Sequence, residues 1–234
     1  MRNNPNEYIF CKDCFKKKNS GFKHFSAEEL ETLDYEKACN LYRRGDVVYH
    51  EGHRGNGIYC VNSGVLKIYK TGIDGREQII KFAKTGDLIG FRSILSNEIS
   101  CSTAKVLEDA ILCFIPSKVF LDLVKQNSSF SMHLIKLSCK ELGESNKFIL
   151  DLAQKSLRER VAEVLLLLND TFEADKDDFL NISLTREEVA NIVGTATESV
   201  IRQLSDLKKE KVIDIKGRKI KINDFKALRK ISGE

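Results

Sequence analysis

Apolar positions in the last third of the chain recur at two periods, one after the other. From Leu184 to Leu207 they follow a helical spacing, and from Val212 to Ile222 they alternate. Thr185 with Glu188 has the form of a capping box, Val189, Ala190 and Val193 make a stripe, and Gly194 stands where a left-handed cap would close a helix. Thr195 with Glu198 repeats the capping box and predicts a second helix. Its Val200, Ile201, Leu204 and Leu207 turn inward, leaving Glu198, Ser199, Arg202 and Gln203 outside. Two short helices around a tight Gly turn, the second polar on its outer face, predict a helix-turn-helix. The alternating runs 212–215 and 219–222 flank Lys216-Gly217-Arg218 and predict a hairpin behind it. Helix, helix and hairpin together make a winged helix-turn-helix.

Upstream the texture differs. Nine of the 14 glycines fall between residues 45 and 90, separating short β-rich runs at 47–49, 57–61, 64–69 and 78–82, with another at 110–115. Such spacing predicts a closed antiparallel sandwich or barrel, with Ile73-Asp74-Gly75-Arg76 as a hairpin turn. Ser26 with Glu29 opens a short helix before it. After Pro116 a Ser117 cap is expected to start a helix over 120–124, and a long helix begins near Phe130. Its Ile135, Leu142 and Ile149 recur every seven residues, with Cys139, Asn146 and Ala153 four further on. A seam of this period packs either on its own domain or on a second copy; its place just before a DNA-binding module favours a dimer axis. Ser156 with Glu159 caps the following helix and marks the expected hinge.

Charge sharpens this picture. The whole chain of 234 residues carries only +4, but Ser199 to Ser232 hold eleven Lys/Arg against four Asp/Glu, a net +7. Positive charge on the second helix and wing is what phosphate neutralisation requires. The surface expected to face DNA comprises Thr185, Thr195, Thr197, Glu198, Ser199, Arg202 and Gln203, with Arg218 and Lys219 of the wing. No apolar run approaches a membrane span and the basic start has no signal-peptide core, so a cytoplasmic protein without membrane contact is expected. The seven cysteines are scattered through apolar contexts, which suits reduced thiols better than a disulfide framework. No Gly-rich phosphate loop, Ser/His/Asp set or metal-spaced histidines point to an enzyme.

Gly45-Asp46, Tyr59 to Gly64, Gly86-Asp87-Leu-Ile-Gly90 and above all Leu184 to Gly194 with Glu198 and Arg202 resemble the Crp/Fnr family of bacterial transcription regulators. The resemblance runs from about residue 25 to 232. It implies an α+β protein with an N-terminal antiparallel, jelly-roll-like β-roll, a long dimerisation helix and a C-terminal winged helix-turn-helix. The expected divisions are a basic arm (1–25), an effector domain (26–128), the dimerisation helix (129–155) and the DNA-binding domain (156–234). It further implies a homodimer reading a palindrome with a TGA-type core, with RNA polymerase as another partner. Thr197 and Ile201 depart from the cyclic-AMP-binding and oxygen-sensing branches respectively.

The sensor departs further. Where cyclic-nucleotide-binding members carry a ribose-binding glutamate and a phosphate-binding arginine-serine pair, this chain has Phe91 and Ser102-Thr103. A phosphate without its charge-assisted donor loses the strong bonds of such a site, so a cyclic nucleotide is not the expected effector. Candidate pocket residues are Phe91, Arg92, Ser93, Ser102 and Thr103, with Ser145 and Asn146 of the long helix. Cys11-x-x-Cys14 resembles part of the cluster motif of the oxygen-sensing branch, but two cysteines make half a site, and neither a metal nor an iron–sulfur cluster is expected there. The effector stays unidentified. Two alternatives are a cyclic-nucleotide-binding regulatory subunit without DNA binding and a cysteine- or cluster-based redox regulator.

Overall fold

A computed structural model describes Cys11, Phe22 and residues 25–233; Cys14 and most of the basic arm lie outside the described residues. The chain divides into two compact units, one holding residues up to 71 and 79–142, the other 72–78 and 143 onward.

In the first unit, helix α1 (Ala27–Glu36) opens with the expected Ser26/Glu29 capping box. The strands that follow are β1 (Ala38–Tyr42), β2 (Val47–Tyr49), β3 (Gly57–Thr71), β4 (Glu77–Lys84), β5 (Leu88–Ile89) and β6 (Thr103–Pro116). They form one antiparallel sheet in the order β1-β6-β3-β4, with β2 on β6 and β5 on β3. The runs 57–61 and 64–69, read as two strands, are one strand of 15 residues. Gly64 does not turn the chain; it sits in a run of register shifts at φ 90°, where a Cβ would lie 2.6 Å from the Ala110 backbone. Glycine therefore serves here as a bulge that lets β6 approach closely. The turn at 73–76, counted with the second unit, forms as expected, closed by Gly72 N–H on Arg76 O and Gly75 N–H on Gly72 O.

Two apolar clusters hold this unit. One face of the sheet (Val61, Leu66, Val106, Ala110, Leu112) closes on itself. The other (Ile58, Cys60, Cys113, Ile115) receives α1, a short helix α2 (Phe91–Ser96), α3 (Ser117–Gln126) and the start of α4 (Ser128–Gln154). Phe130 is the hub: its ring meets Phe25 edge-on at 4.8 Å and Phe120 at 6.0 Å between centroids. Ser117 is the first helical residue of α3 rather than its cap, which is Pro116, and its N–H is spent on Asn56 O. Asn127 Oδ1 accepts from Phe130 N–H at the start of α4.

The expectation of reduced thiols fails at one place. Cys39 and Cys113 form a disulfide. The reason is register: β1, absent from the sequence reading, pairs with β6 so that these two cysteines face each other.

The second unit contains the rest of α4, then α5 (Leu157–Phe172), α6 (Arg186–Val193), α7 (Thr197–Lys209), β7 (Ile213–Lys216), β8 (Lys219–Ile222) and α8 (Phe225–Ser232). Ser156/Glu159 and Thr185/Glu188 are both complete capping boxes. Leu165, Leu168, Val200, Leu204, Leu207 and Leu228 make its core.

Candidate nucleic-acid interface

Gly194 closes α6 in the left-handed region at φ 74°, and Thr195 N–H bonds back to Ala190 O. Thr195 is thus consumed by the turn. The second capping box therefore does not form, and the N-cap of α7 is Ala196, without a side-chain bond. Thr185 is likewise engaged in capping α6. Both remain on the helix-turn-helix, but as its framework.

Along α7, Val200, Leu204 and Leu207 are buried, whereas Ile201, expected inward, is 45% exposed. The stripe is narrower than its i, i+1, i+4, i+7 spelling suggested, and it runs along Val200, Leu204 and Leu207. Gln203, expected to face out, flanks that stripe, and its Oε1 is buried without a partner. Glu198 and Arg202 are exposed one turn apart, and no ion pair joins them among the described residues. Thr197 and Ser199 are half-buried beside them.

The wing pairs Lys216 with Lys219 and Ile213 with Ile222 around Gly217-Arg218. Arg186, missed in the sequence, ties it to the helices: one guanidinium nitrogen donates to Gly217 O at 2.7 Å, and the other terminal nitrogen is buried without a partner. An open groove of 560 Å³ lies between Arg186, Ile201, Ser205, Lys208, Lys209 and Ile215. Much of the basic charge is already met by carboxylates. Lys219 Nζ bonds Asp175 at 2.6 Å and Lys221 bonds Asp178 at 2.8 Å. Lys208 bonds Asp214 at 3.0 Å and Lys209 bonds Asp206 at 3.1 Å. The Lys219 ammonium holds the Asp175 carboxyl below the usual range. No local sequence signal revealed the two aspartates before Phe179, because a β-bridge from Phe179 to Lys221 brings them to the wing across some 40 residues.

Basic side chains on the outer face of the second helix and on a two-stranded wing can neutralise phosphates while Glu198 and Arg202 reach base edges. Residues 40–127 match the model of the cyclic nucleotide-binding domain, and residues 159–231 that of the Crp-like helix-turn-helix domain. The chain belongs to the Crp/Fnr family of transcription regulators. An anaerobic regulatory protein of Pasteurella multocida is 29% identical over 230 residues, covering 96% of this chain and 83% of the relative. The fumarate and nitrate reduction regulatory protein of Escherichia coli is 28% identical over 229 residues, covering 96% and 91%. FixK2 of Bradyrhizobium japonicum shares the fold, with a TM-score of 0.73 over 83% of this chain and 96% of that one, at 23% identity. This Crp/Fnr chain is therefore a DNA-binding transcription regulator, and no described helix is long and apolar enough to cross a membrane.

The sensing unit of this regulator does not gather the expected pocket. Phe91 is core, 2% exposed. Ser93 Oγ donates to Gly90 O, Thr103 Oγ1 accepts from Glu51 N–H, and Ser102 bonds the Tyr49 phenol, which burial pushes up. Arg92 turns to Cys101 Sγ at 2.8 Å and lies 3.6 Å from Glu141 of α4, whose other oxygen takes Lys81. A cavity of 220 Å³ near Tyr49, Arg54 and Ser100 includes only Ser93 of the expected set. Ser145 and Asn146 are exposed on the α4 segment of the second unit. Cys11 is buried, its thiol pushed up to about 12 by burial against the opposing pull of Lys37, whose Nζ is 3.1 Å away. No group of three or more potential metal ligands occurs among the described residues.

Proposed function

We propose that this regulator works in the cytoplasm as a homodimer joined along α4, each copy inserting α7 into one half of a palindrome, with RNA polymerase as a further partner. The observation that carries the reading is the outer face of α4. Ile135, Leu142 and Ile149 are 55%, 62% and 64% exposed in a single chain, and Cys139, Asn146 and Ala153 lie exposed beside them. Three large apolar side chains at heptad spacing on a helix that leads into a DNA-reading module are best covered by the same face of a second copy. A two-fold dimer sets two recognition helices about 34 Å apart, one turn of B-DNA.

Control is exerted by an effector other than a cyclic nucleotide. Arg92 of the expected pocket already faces the Glu141 carboxylate, whose other oxygen is engaged by Lys81, so a cyclic phosphate must displace an internal anion to reach a charge-assisted donor. The decisive experiment is sedimentation of the full chain with footprinting on selected genomic fragments. A dimer protecting two inverted half-sites about ten base pairs apart supports the reading, and a monomer protecting one half-site overturns it.

A further inference from the structure

The cavity of 220 Å³ in the first unit has three aromatic rings in its wall, placed there by strand register. Tyr59 on β3 stands directly opposite Phe114 on β6, so both point to one face, with centroids 5.2 Å apart. Tyr49 on β2 stacks on Tyr59 at 6.3 Å, 24° from parallel. Both phenols are engaged, Tyr49 with Ser102 and Tyr59 with Tyr42, so what these rings offer the cavity is apolar surface. The polar groups beside them are few and unspent. Ser100, 6% exposed, uses its N–H on His53 O and its carbonyl on Gly52 N–H, while its hydroxyl has no partner among the described residues. A buried hydroxyl left in that state carries a cost that an acceptor on a ligand relieves. Arg54, exposed at the cavity edge, donates to two neutral oxygens, Asn97 O at 3.3 Å and Asn97 Oδ1 at 2.9 Å. No ion pair holds its guanidinium among the described residues, and no Asp or Glu lines the cavity.

We propose that this cavity binds a small aromatic carboxylate, its single ring against Tyr49, Tyr59 and Phe114 and its carboxylate accepting from Arg54 and Ser100. Size selects the ring count. Pockets for drug-sized ligands run to about 300–1,000 Å³, and a dry cavity of about 150 Å³ already accepts benzene. The 220 Å³ found here therefore suits one ring with a small head group. Charge selects the head group: a guanidinium that exchanges the neutral Asn97 oxygens for a carboxylate gains charge-assisted bonds, and the ring adds offset or edge contacts with its aromatic neighbours. The path to the rest of the molecule is short. Gly90 and Ser93 of the cavity wall are the N-cap and the third residue of α2. Arg92 between them lies 3.6 Å from Glu141 of α4. A ligand that presses on Ser93 thus acts on the helix carrying the proposed seam.

The regulatory half of this inference rests on the function proposed above, so the test separates ligand binding from DNA binding. Full-length protein is titrated calorimetrically with benzoate, phenylacetate and 4-hydroxybenzoate. Benzamide supplies the ring without the charge, and acetate the charge without the ring. Expected is saturable binding of at least one of the three acids, with benzamide and acetate weaker by about tenfold or more. Arg54→Gln, a change at an exposed side chain, should weaken that acid by about tenfold as well. Gly55→Val should abolish binding by filling the cavity, since a Cβ there would meet Ile94 Cδ1 at 3.5 Å and Ser93 Oγ at 3.8 Å without a clash. The site is overturned if none of the three acids binds, if benzamide or acetate binds as tightly, or if Arg54→Gln or a folded Gly55→Val protein retains full affinity. Should Gly55→Val fail to fold, Ser100→Ala replaces it, with about a fivefold loss expected and an unchanged affinity overturning the site. Affinity for the footprinted DNA is then compared with and without saturating acid; a change of about fivefold or more is expected for an allosteric input. Equal DNA affinities with acid bound overturn the effector role alone, and absence of any specific DNA binding overturns the function proposed above instead.

Discussion

Lys219 Nζ of the wing lies 2.6 Å from Asp175 Oδ2 on the loop before α6. A phosphate reaching this lysine must replace a carboxylate that the protein already supplies. Asp175→Asn should therefore raise affinity for all DNA sequences alike, by about two- to fivefold given the usual weakness of exposed pairs. Lys219→Ala should cost more in the Asp175→Asn background than in the wild type, and should lower the slope of log K against log salt by about 1 there. Anisotropy titrations over a salt series check both, and identical costs in the two backgrounds would show that Asp175 does not compete.

Arg202 and Glu198 share the exposed side of α7 without pairing to each other. Arg202→Ala should cost about 1–3 kcal/mol on the cognate site and flatten the preference at one G·C pair per half-site. Ile201, exposed just before it, offers an apolar contact to a thymine methyl, so Ile201→Ser should weaken a T preference at a neighbouring position. Binding to a library of single-base operator variants reads both. Unaltered discrimination in Arg202→Ala would place base reading elsewhere.

Two substitutions on α4 should separate its faces. Ile149 is 64% exposed in the single chain and Leu134 is 2% exposed. Ile149→Asp places an unpaired charge in the proposed seam and should give a folded monomer. Leu134→Ala should leave the dimer intact and lower stability by about 2–5 kcal/mol through a cavity beside Phe130. Sedimentation velocity and denaturant melts distinguish them; a dimeric Ile149→Asp protein would mean the interface lies on another surface.

At the junction of α4 and α5, Glu163 accepts from Lys147 and, at 2.8 Å, from Lys155, while Asp151 lies 3.4 Å from Lys155. Burial pushes the Glu163 carboxyl up, but the two ammonium groups prevail and its pKa is lowered. A depressed carboxylate contributes stability that is present above its unfolded value of about 4.3 and lost as pH falls through the folded value. Glu163→Gln should thus melt earlier than wild type at pH 7, by about 1 kcal/mol after screening of the exposed Lys147, and the gap should close below about pH 4. A gap that persists in acid would assign the loss to packing rather than charge.

Much of the regulator was legible from local signals. Capping boxes at Ser26, Ser156 and Thr185, the left-handed Gly194, the hairpin at Gly217 and the inward Val200, Leu204 and Leu207 of α7 each involve residues within a few positions of one another, where propensity and period act directly. What the sequence left undetermined depends in one case on a competing local bond and otherwise on partners far along the chain. Thr195 and Glu198 spell a capping box, but the turn after Gly194 draws Thr195 back onto Ala190. Gly64 spells a turn, but the nearness of Ala110 makes it a bulge in one long strand. Cys39 and Cys113 become a bonded pair, with Cys60 beside them, only through the register of three strands, and Asp175 meets Lys219 only because a β-bridge carries its loop to the wing. Helix caps and periods are short-range interactions that a sequence displays; strand register and charge pairing across 40 to 70 residues are decided by packing, and that information resides only in the folded chain.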